Sequence, residues 1–386
     1  MQISHPSRRV PCVCIIGTRP EVIKMAPVIR RLRDSDWAVP VVVAVGQHIE
    51  LLDQAIGDFG LDISHRVPVV RARQSVVEVA SIILDRLDVL LDQLDAACVI
   101  AQGDTTTVMA ASMVAFHRRL PFVHVEAGLR TGDLAAPFPE EFNRRVVSLG
   151  TTLHCAPTEQ AARNLRAEGI PSRDCIVTGN TVIDALLDMA ARKPPLPAAF
   201  PAVARPVLVT AHRRENAGVP LRRMLTALRE VVERYPDIGL FFPVHPNPDT
   251  RRTAAEILGG HERICLSQPV GYADLVAALA ASWIVVTDSG GLQEEAPALG
   301  KPVLVLRDVT ERPEAVECGA AQLVGTDPDR LLAAIARLHD DADAFAKMAQ
   351  VRFPYGDGMA SERLVGELRS RLTSEQMKHS RADELA

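Results

Sequence analysis

The strongest constraint on the fold is an alternation of short apolar segments with longer amphipathic segments, which occurs twice along the 386 residues. Uninterrupted apolar segments indicate strands that are buried on both faces. Helices between such strands imply parallel sheets that are covered on both sides. The predicted strands are 13–16, 40–45, 97–101, 122–125, 153–156, 175–177, 207–210, 240–244, 264–266, 284–286, 302–306 and 322–324. The sequence therefore predicts an α/β fold of two Rossmann-like, doubly wound parallel-sheet domains.

A proline-rich segment separates the two halves of this pattern. Residues 193–206, KPPLPAAFPAVARP, contain five prolines and have little periodicity. We therefore predict an N-terminal domain over 1–192, a linker over 193–205 and a C-terminal domain over 206–360. Residues 361–386 are predicted to form a helix that packs back on the N-terminal domain and ends in a polar, frayed tail. Because ligands bind beyond the carboxyl ends of parallel strands, we expect a cleft between the domains.

Composition and missing motifs exclude several classes of function. The 43 basic and 48 acidic residues give a net charge of −5, which argues against a nucleic-acid partner. No apolar stretch reaches the length of a membrane span and no signal-peptide pattern precedes the first strand, so a cytoplasmic protein is expected. The seven cysteines are scattered without a C-x-x-C pair, which disfavours a metal site. Neither a G-x-G-x-x-G nor a Walker A motif occurs, so no nicotinamide cofactor is predicted.

Polar residues follow the ends of several predicted strands. Asp104 and Glu126 follow two strands of the first half, and His212 follows the first strand of the second half. Other residues at such ends are Arg19, Glu21, Lys24, Arg130, Arg213, Asp288 and Arg312. Each has a structural explanation when taken alone, such as a helix N-cap for Asp104. Their recurrence at successive strand ends predicts a functional site.

The segment around Ser289, Gly290 and Gly291 predicts an anion site, because it follows a strand and precedes a helix over about 292–299. The N–H groups at a helix start point outward with the positive end of the helix dipole, which suits a phosphate group. Glu295 could reach sugar hydroxyls, or it could only complement the helix dipole together with Glu294.

The segment 137–145, PFPEEFNRR, predicts a proline-stiffened loop that leads into a helix. Glu140 and Arg144 have the i,i+4 spacing of an ion pair, as do Glu141 and Arg145, which gives a structural explanation for these charges. The functional alternative is that the loop delivers the Glu140 carboxylate to the predicted cleft.

Together the motifs resemble those of the non-hydrolysing UDP-N-acetylglucosamine 2-epimerases, in order and spacing from about residue 10 to 372. The matching stretches are GTRPEVIKMAPVI at 17–29, GQHIELLDQ at 46–54, QGDTTT at 102–107, HVEAGLRTGD at 124–133, PFPEEFNRR at 137–145, APTE at 156–159, TGNTVIDALL at 178–187, TAHRREN at 210–216, PVHPNP at 243–248, TDSGGLQEEAPALGKPVLVLRDVTERPEAVECG at 287–319 and PYGDG at 354–358. The resemblance implies a two-domain fold of the glycosyltransferase-B type, a homodimer, and an isomerase that needs no added cofactor or metal.

The reaction that the resemblance implies is the reversible interconversion of UDP-GlcNAc and UDP-ManNAc, by elimination of UDP to 2-acetamidoglucal and re-addition. It implies that Asp104, Glu126 and Glu140 form the acid/base set and that His212 stabilises the departing diphosphate. The substrate-binding residues that carry over are Arg19, Lys24, Ser289, Gly290, Gly291, Glu295 and Arg312.

Two further points concern nucleotide binding. Val270 and Leu275 stand where related bacterial enzymes commonly have glutamine and phenylalanine, in the segment that faces uracil in the family. Valine cannot bond a base through its side chain, and leucine stacks poorly on one. Many bacterial members also bind a second UDP-GlcNAc as an activator. The residues that resemble that pocket are Gln47, Arg73, Gln74, Arg213 and His245.

Several alternatives remain open at this point. The protein could act on a modified UDP-HexNAc, or it could be a hydrolysing epimerase that releases UDP and ManNAc. A glycosyltransferase on the same fold would need an acceptor, since fold alone does not determine function. A sugar-nucleotide-binding protein without activity would not need the paired carboxylates Asp104, Glu126 and Glu140.

Overall fold

The computed structural model describes residues 9–46, 49–69, 75–213, 216–310 and 312–383, without the side chains of 49–51 and 373–383. The chain forms two compact units. Unit 1 comprises Met1–Ala185 and Gly356–Ala386, and unit 2 comprises Leu186–Tyr355. Residues 193–204 form neither helix nor strand. Within the described part of the chain, no helix combines the length and apolar character needed to cross a membrane.

Unit 1 is built on a seven-stranded sheet in which all paired strands are parallel, in the order β3-β2-β1-β4-β5-β6-β7. Its strands are β1 (Val10–Ile16), β2 (Ala38–Gly46), β3 (His65–Pro68), β4 (Cys98–Gln102), β5 (Phe122–Val125), β6 (Leu153–Ala156) and β7 (Cys175–Val177). Its helices are α1 (Arg19–Arg33), α2 (Ile49–Phe59), α3 (Val76–Gln93), α4 (Thr106–His117), α5 (Glu140–Gly150), α6 (Glu159–Ala167) and a 3₁₀ turn (Ser172–Asp174), followed by α7 (Thr181–Ala191), which continues into unit 2.

Unit 2 is built on a six-stranded parallel sheet in the order β10-β9-β8-β11-β12-β13. Its strands are β8 (Arg205–Thr210), β9 (Ile238–Pro243), β10 (Ile264–Ser267), β11 (Ile284–Thr287), β12 (Val303–Val305) and β13 (Ala321–Leu323). Its helices are α8 (Val219–Arg234), α9 (Pro248–Leu258), α10 (Tyr272–Ala281), α11 (Gly290–Ala298), α12 (Pro313–Glu317), α13 (Pro328–Asp340) and α14 (Ala342–Met348).

Both sheets follow the doubly wound order, in which the strand sequence reverses beside the first strand of the unit. The strands are apolar because helices cover both of their faces. In unit 1, for example, Ile15 and Val43 share a buried cluster with Leu87 of α3. In unit 2, Phe242 packs in the same way with Leu228 of α8. Burying a side chain of this size contributes about 1.5–3 kcal/mol. The predicted pair of doubly wound α/β folds is confirmed.

The sequence did not predict β3, which lies at the edge of the first sheet. Its four residues, HRVP, alternate in burial, and only Val67 is fully buried. An edge strand needs one apolar face and tolerates proline, so it lacks the continuous apolar signal of the central strands.

The C-terminal stretch of unit 1 forms α15 (Ala360–Asp383), which packs against α1. Asp184 of α7 holds its first turn by accepting hydrogen bonds from the Ser361 N–H (2.8 Å), the Ser361 hydroxyl (2.6 Å) and the Ala360 N–H (3.2 Å). Residues 384–386 of the predicted tail lie outside the described residues.

Candidate active site

The functional side chains of unit 1 come from the carboxyl ends of its central strands. Strand β4 ends before Gly103 (φ +91°), and β5 ends before Glu126 (φ +65°), so both strands turn sharply through left-handed backbone. For a residue other than glycine this conformation costs on the order of 1 kcal/mol or more, and such residues concentrate at functional sites. The backbone at Glu126 therefore supports a functional role for this carboxylate.

Glu126 is only 8% exposed, and its carboxylate accepts hydrogen bonds from Lys24, Gln102 and Asn180. The Lys24 ammonium from α1 lies 2.6 and 2.8 Å from its two oxygens. The Gln102 amide donates from the end of β4, and the Asn180 amide donates at 3.3 Å. The Lys24 charge offsets the cost of burying the carboxylate, and the two amides determine the orientation of that carboxylate.

Asp104 follows the turn after β4 and pairs with Arg144 of α5. The guanidinium Nη2 and Nε lie 2.7 and 2.9 Å from the same carboxylate oxygen. The Asn143 amide also donates to the main-chain oxygen of Asp104 at 2.8 Å. Burial raises the pKa of Asp104 above its ordinary value, and the nearby charges of Glu126 and Glu140 raise it further, against the opposing charges of Arg144 and Lys24.

Glu140 is the first residue of α5 and is half-buried. It lines a cavity of about 270 Å³ within unit 1, together with Gly17, Thr105 and Asn143. Its neighbour Glu141 is fully buried and accepts hydrogen bonds from the Thr131 N–H and from Arg144 at 2.7 Å. Glu141 thus anchors the loop that leads to Glu140.

The turn between β1 and α1 forms one edge of the same cavity. Glu21, which is buried, accepts hydrogen bonds from the N–H groups of Gly17 and Thr18 and from the Thr105 hydroxyl at 2.7 Å. Burial raises the pKa of Glu21 to about 7, although these hydrogen bonds lower it. Glu21 therefore ties the β1 turn to the β4 turn. The predicted substrate-binding residue Arg19 begins α1 directly after this turn.

In unit 2, His212 follows β8 and pairs with a buried carboxylate. Its Nδ1 lies 3.0 Å from Asp288, which follows β11 and is 0% exposed. Burial alone would raise the pKa of Asp288, but hydrogen bonds from His212, Arg213 and Asn216 outweigh that effect and lower it. The His212 side chain is 41% exposed, so the carboxylate holds one edge of the ring while the ring itself is open to solvent.

The segment that was predicted to form an anion site lies at the start of α11. Ser289 is the N-cap, and the helix begins at Gly290. A Cβ atom at Gly290 would lie 2.6 Å from the Arg312 guanidinium carbon, so this cation lies directly against the helix N-terminus. A Cβ atom at Gly291 would make only ordinary contacts, the nearest at 3.8 Å. The N–H groups of a helix start and a guanidinium at one point are suited to a phosphate group.

Glu295, which was predicted to contact sugar hydroxyls, accepts a hydrogen bond from the Tyr272 hydroxyl at 2.7 Å and is 5% exposed. This bond joins α11 to the segment that contains Val270 and Leu275. Both of these side chains are half-buried.

The residues predicted for a second nucleotide site divide into two groups. Gln47, Arg73 and Gln74 lie outside the described residues. His245 follows β9, and its ring is nearly parallel to that of His212, with 6.4 Å between the ring centroids. Arg213 donates its backbone N–H to Asp288 at 2.9 Å. These two residues therefore border the predicted catalytic histidine within unit 2.

Comparison with known proteins identifies the family. A family model described as UDP-N-acetylglucosamine 2-epimerase matches residues 30–369. The UDP-N-acetylglucosamine 2-epimerase of Bacillus subtilis is 42% identical over 373 residues, which cover 94% of this chain and 95% of the relative. The chain belongs to the UDP-N-acetylglucosamine 2-epimerase family. This confirms the resemblance inferred from the sequence motifs.

Solved structures agree with this membership in the epimerase family. The UDP-GlcNAc 2-epimerase from Neisseria meningitidis, bound to UDP-GlcNAc, matches with a TM-score of 0.86 and 39% identity, over 94% of this chain and all of that one. The glycotransferase of kitacinnamycin matches with a TM-score of 0.66 at 15% identity, over 93% of this chain and 99% of that one. The second likeness shows the fold alone, and it fits the predicted glycosyltransferase-B type.

Two residues of this epimerase-family site were not selected from the sequence. The sequence spacing predicts an i,i+4 pair of Arg144 with Glu140, whereas the structure pairs Arg144 with Asp104 and Glu141. Asp288 was noted only as a strand-end residue, although it is the acceptor that holds His212. The sequence signal that could have identified Arg144 and Asp288 is the same, because each is a charged residue in or next to a motif that holds a predicted site residue.

Proposed function

We propose that the protein is a non-hydrolysing UDP-GlcNAc 2-epimerase, which interconverts UDP-GlcNAc and UDP-ManNAc. The observation that carries the proposal is the pair of carboxylates in unit 1, Asp104 and Glu126, each held by its own cation. Inverting a carbon centre by proton exchange requires that one proton is removed and another is returned on the opposite face. Two carboxylates in different environments suit that task.

The first half of the reaction is an elimination. The bond between sugar C1 and the UDP oxygen breaks, and its electron pair leaves with UDP. The C1 centre gains oxocarbenium character, which makes the C2 proton removable, and a carboxylate takes that proton as the C1–C2 double bond forms. The product is 2-acetamidoglucal. In the second half, a carboxylate protonates C2 from the other face, and UDP adds back to C1.

Unit 2 supplies the groups that stabilise the departing diphosphate. The N–H groups at the start of α11 and the Arg312 guanidinium meet at one point, and His212 presents an exposed ring. Donors that are fixed where negative charge develops lower the barrier, because they need no reorganisation during the reaction. Unit 1 supplies Arg19, and Lys24 holds the Glu126 carboxylate in place.

The test is incubation of the purified protein with UDP-GlcNAc in D₂O, followed by proton NMR. We expect new UDP-ManNAc signals and deuterium at C2, with UDP-sugar conserved. Release of UDP in proportion to the substrate consumed would identify a hydrolysing epimerase. Binding of UDP-GlcNAc without deuterium exchange would indicate a sugar-nucleotide-binding protein without activity. Deuterium exchange only with a modified UDP-HexNAc would identify that sugar nucleotide as the substrate.

Substitutions assign the acid/base set. Asp104→Asn, Glu126→Gln and Glu140→Gln should each lower turnover by roughly 10²–10⁴-fold, the usual scale of acid/base contributions. A variant that keeps the wild-type rate would remove its residue from the set.

The assembly and regulation belong to the same proposal. We propose a cytoplasmic homodimer that binds a second UDP-GlcNAc as activator, with Arg213 and His245 among its contacts. The position of His245 beside His212 supports this, because a ligand there could influence the catalytic ring. Sedimentation measures the oligomer. Conversion of UDP-ManNAc that starts only after a trace of UDP-GlcNAc is added would demonstrate activation.

A further inference from the structure

The buried carboxylate of Asp288 contacts four donor groups of the segment that carries His212. One oxygen, Oδ1, lies 3.0 Å from Nδ1 of the His212 ring and accepts from the His212 backbone N–H at 3.1 Å. The other, Oδ2, accepts from the backbone N–H groups of His212 (3.0 Å) and Arg213 (2.9 Å) and from the Asn216 amide (3.0 Å). The Asn216 amide also reaches the Leu306 main-chain oxygen at 3.1 Å. Asp288 therefore holds both the backbone and the ring of His212.

We propose that Asp288 is a positioning residue that determines the tautomer and the orientation of His212. This rests on the proposed function, in which His212 stabilises the departing diphosphate. A carboxylate at Nδ1 is an acceptor only, so it requires the proton on Nδ1 and leaves Nε2 to face the open side of the ring. When the ring is protonated, Nε2 carries the N–H that donates to the developing charge. Asp288 is fully buried, which keeps it from touching the substrate itself.

The charged groups that face the His212 ring come from three elements of unit 2. Asp288 lies after β11, His245 lies after β9 with its ring centroid 6.4 Å away, and Arg213 is next along the chain. Among the described residues, Asp288 is the carboxylate that pairs with His212. Its removal should therefore release the ring from this orientation.

The same unit offers a matched control. Asp237 also pairs with a histidine, and its oxygen lies 3.2 Å from Nε2 of His339. This pair lies at the amino end of β9, whereas His212 and Asp288 lie at the carboxyl ends of β8 and β11. Asp237→Asn thus makes the same chemical change at the opposite edge of the sheet.

The experiment compares Asp288→Asn and Asp237→Asn by steady-state epimerisation of UDP-GlcNAc between pH 6 and 9. We expect Asp288→Asn to lower kcat by about 10- to 1000-fold while KM changes little, because without the carboxylate at Nδ1 the ring is no longer held in the orientation that presents Nε2. Asp237→Asn should keep the wild-type profile. Equal profiles for Asp288→Asn and the wild type would overturn the proposal.

A double-variant comparison separates positioning from general damage. If Asp288 acts through His212, Asp288→Asn should cost little, less than about threefold, when His212→Ala is already present. An undiminished loss in that background would show that Asp288 acts elsewhere.

A tautomer measurement on the wild-type protein keeps the proposal testable if Asp288→Asn does not fold. Protein labelled with ¹⁵N-histidine, with His212 assigned by the loss of its signals in His212→Ala, reports the tautomer directly. We expect a proton on Nδ1 at high pH, and a predominant Nε2–H tautomer would refute the proposal. This measurement does not need turnover, so absent epimerisation would refute the proposed function alone.

Discussion

Arg144 forms ion pairs with the carboxylates of Asp104 and Glu141, so Arg144→Gln tests how much these ion pairs contribute to the stability of unit 1. Removing one partner of a buried ion pair costs about 3–5 kcal/mol when the remaining charge has no other partner. Glu141, which is fully buried, keeps the N–H groups of Thr131 and Gly132, and the Asp104 side chain is 27% exposed. We therefore expect a smaller loss, about 2–3 kcal/mol of the free energy of unfolding.

This loss corresponds to a decrease in Tm of about 4–12 °C for a unit of this size, measured by calorimetry. Turnover in D₂O should fall as well, because the Arg144 charge opposes the effect of burial on the pKa of Asp104, and without it that pKa rises further. Arg145→Gln is the matched control on the same helix. Its side chain is 42% exposed, pairs with Glu168 at 3.1 Å and lies 3.8 Å from Glu141, which keeps Arg144 at 2.7 Å, so its loss should stay within about 1 kcal/mol. Equal Tm values and equal rates for the two variants would refute this reasoning.

Three further substitutions test other parts of the structure. Burial raises the pKa of Glu21 from 4.5 to about 7, so the folded chain keeps a proton that the unfolded chain releases, and stability is lost as pH rises through this window. This loss amounts to about 3 kcal/mol at 1.36 kcal/mol per pKa unit, and Glu21→Gln should remove it. The Tm of the variant relative to wild type should therefore rise from pH 5 to pH 8. A difference in Tm that stays constant over this range would contradict the prediction. Gly290→Ala should displace the Arg312 guanidinium and so weaken UDP binding, measured by calorimetry, more than Gly291→Ala does. The Tm should change little in either variant. Equal affinities of the two variants for UDP would show that Arg312 does not contribute to the anion site. Asp184→Ala should destabilise the start of α15 by about 1–2 kcal/mol and speed hydrogen exchange there, whereas Asp188→Ala, which removes an exposed ion pair with Arg192, should not.

The sequence was sufficient for features that depend on local patterns. Buried parallel strands have continuous apolar signals, and the topology of such sheets brings Asp104 and Glu126 to one edge. The ion pairs of charged side chains were harder to predict, because they depend on contacts between segments that are distant in the sequence. Arg144 lies 40 residues from Asp104, and its spacing within α5 suggested Glu140 instead. The sequence did not predict β3, because an edge strand pairs with a single neighbouring strand and does not need the continuous apolar run of a central strand.

Two of the carboxylates proposed for acid/base catalysis, Asp104 and Glu126, differ in a way that matters for inversion at a carbon centre. Glu126 contacts the Lys24 ammonium at 2.6 Å and receives two amide donors, so its surroundings complement a negative charge. For Asp104, burial and the neighbouring carboxylates outweigh the Arg144 charge, and its pKa is raised. Epimerisation needs one group that is ready to take a proton and another that is ready to give one. A site with two equivalent carboxylates would have to exchange a proton between them before it could serve both faces of the sugar, whereas this arrangement provides the asymmetry before the substrate binds.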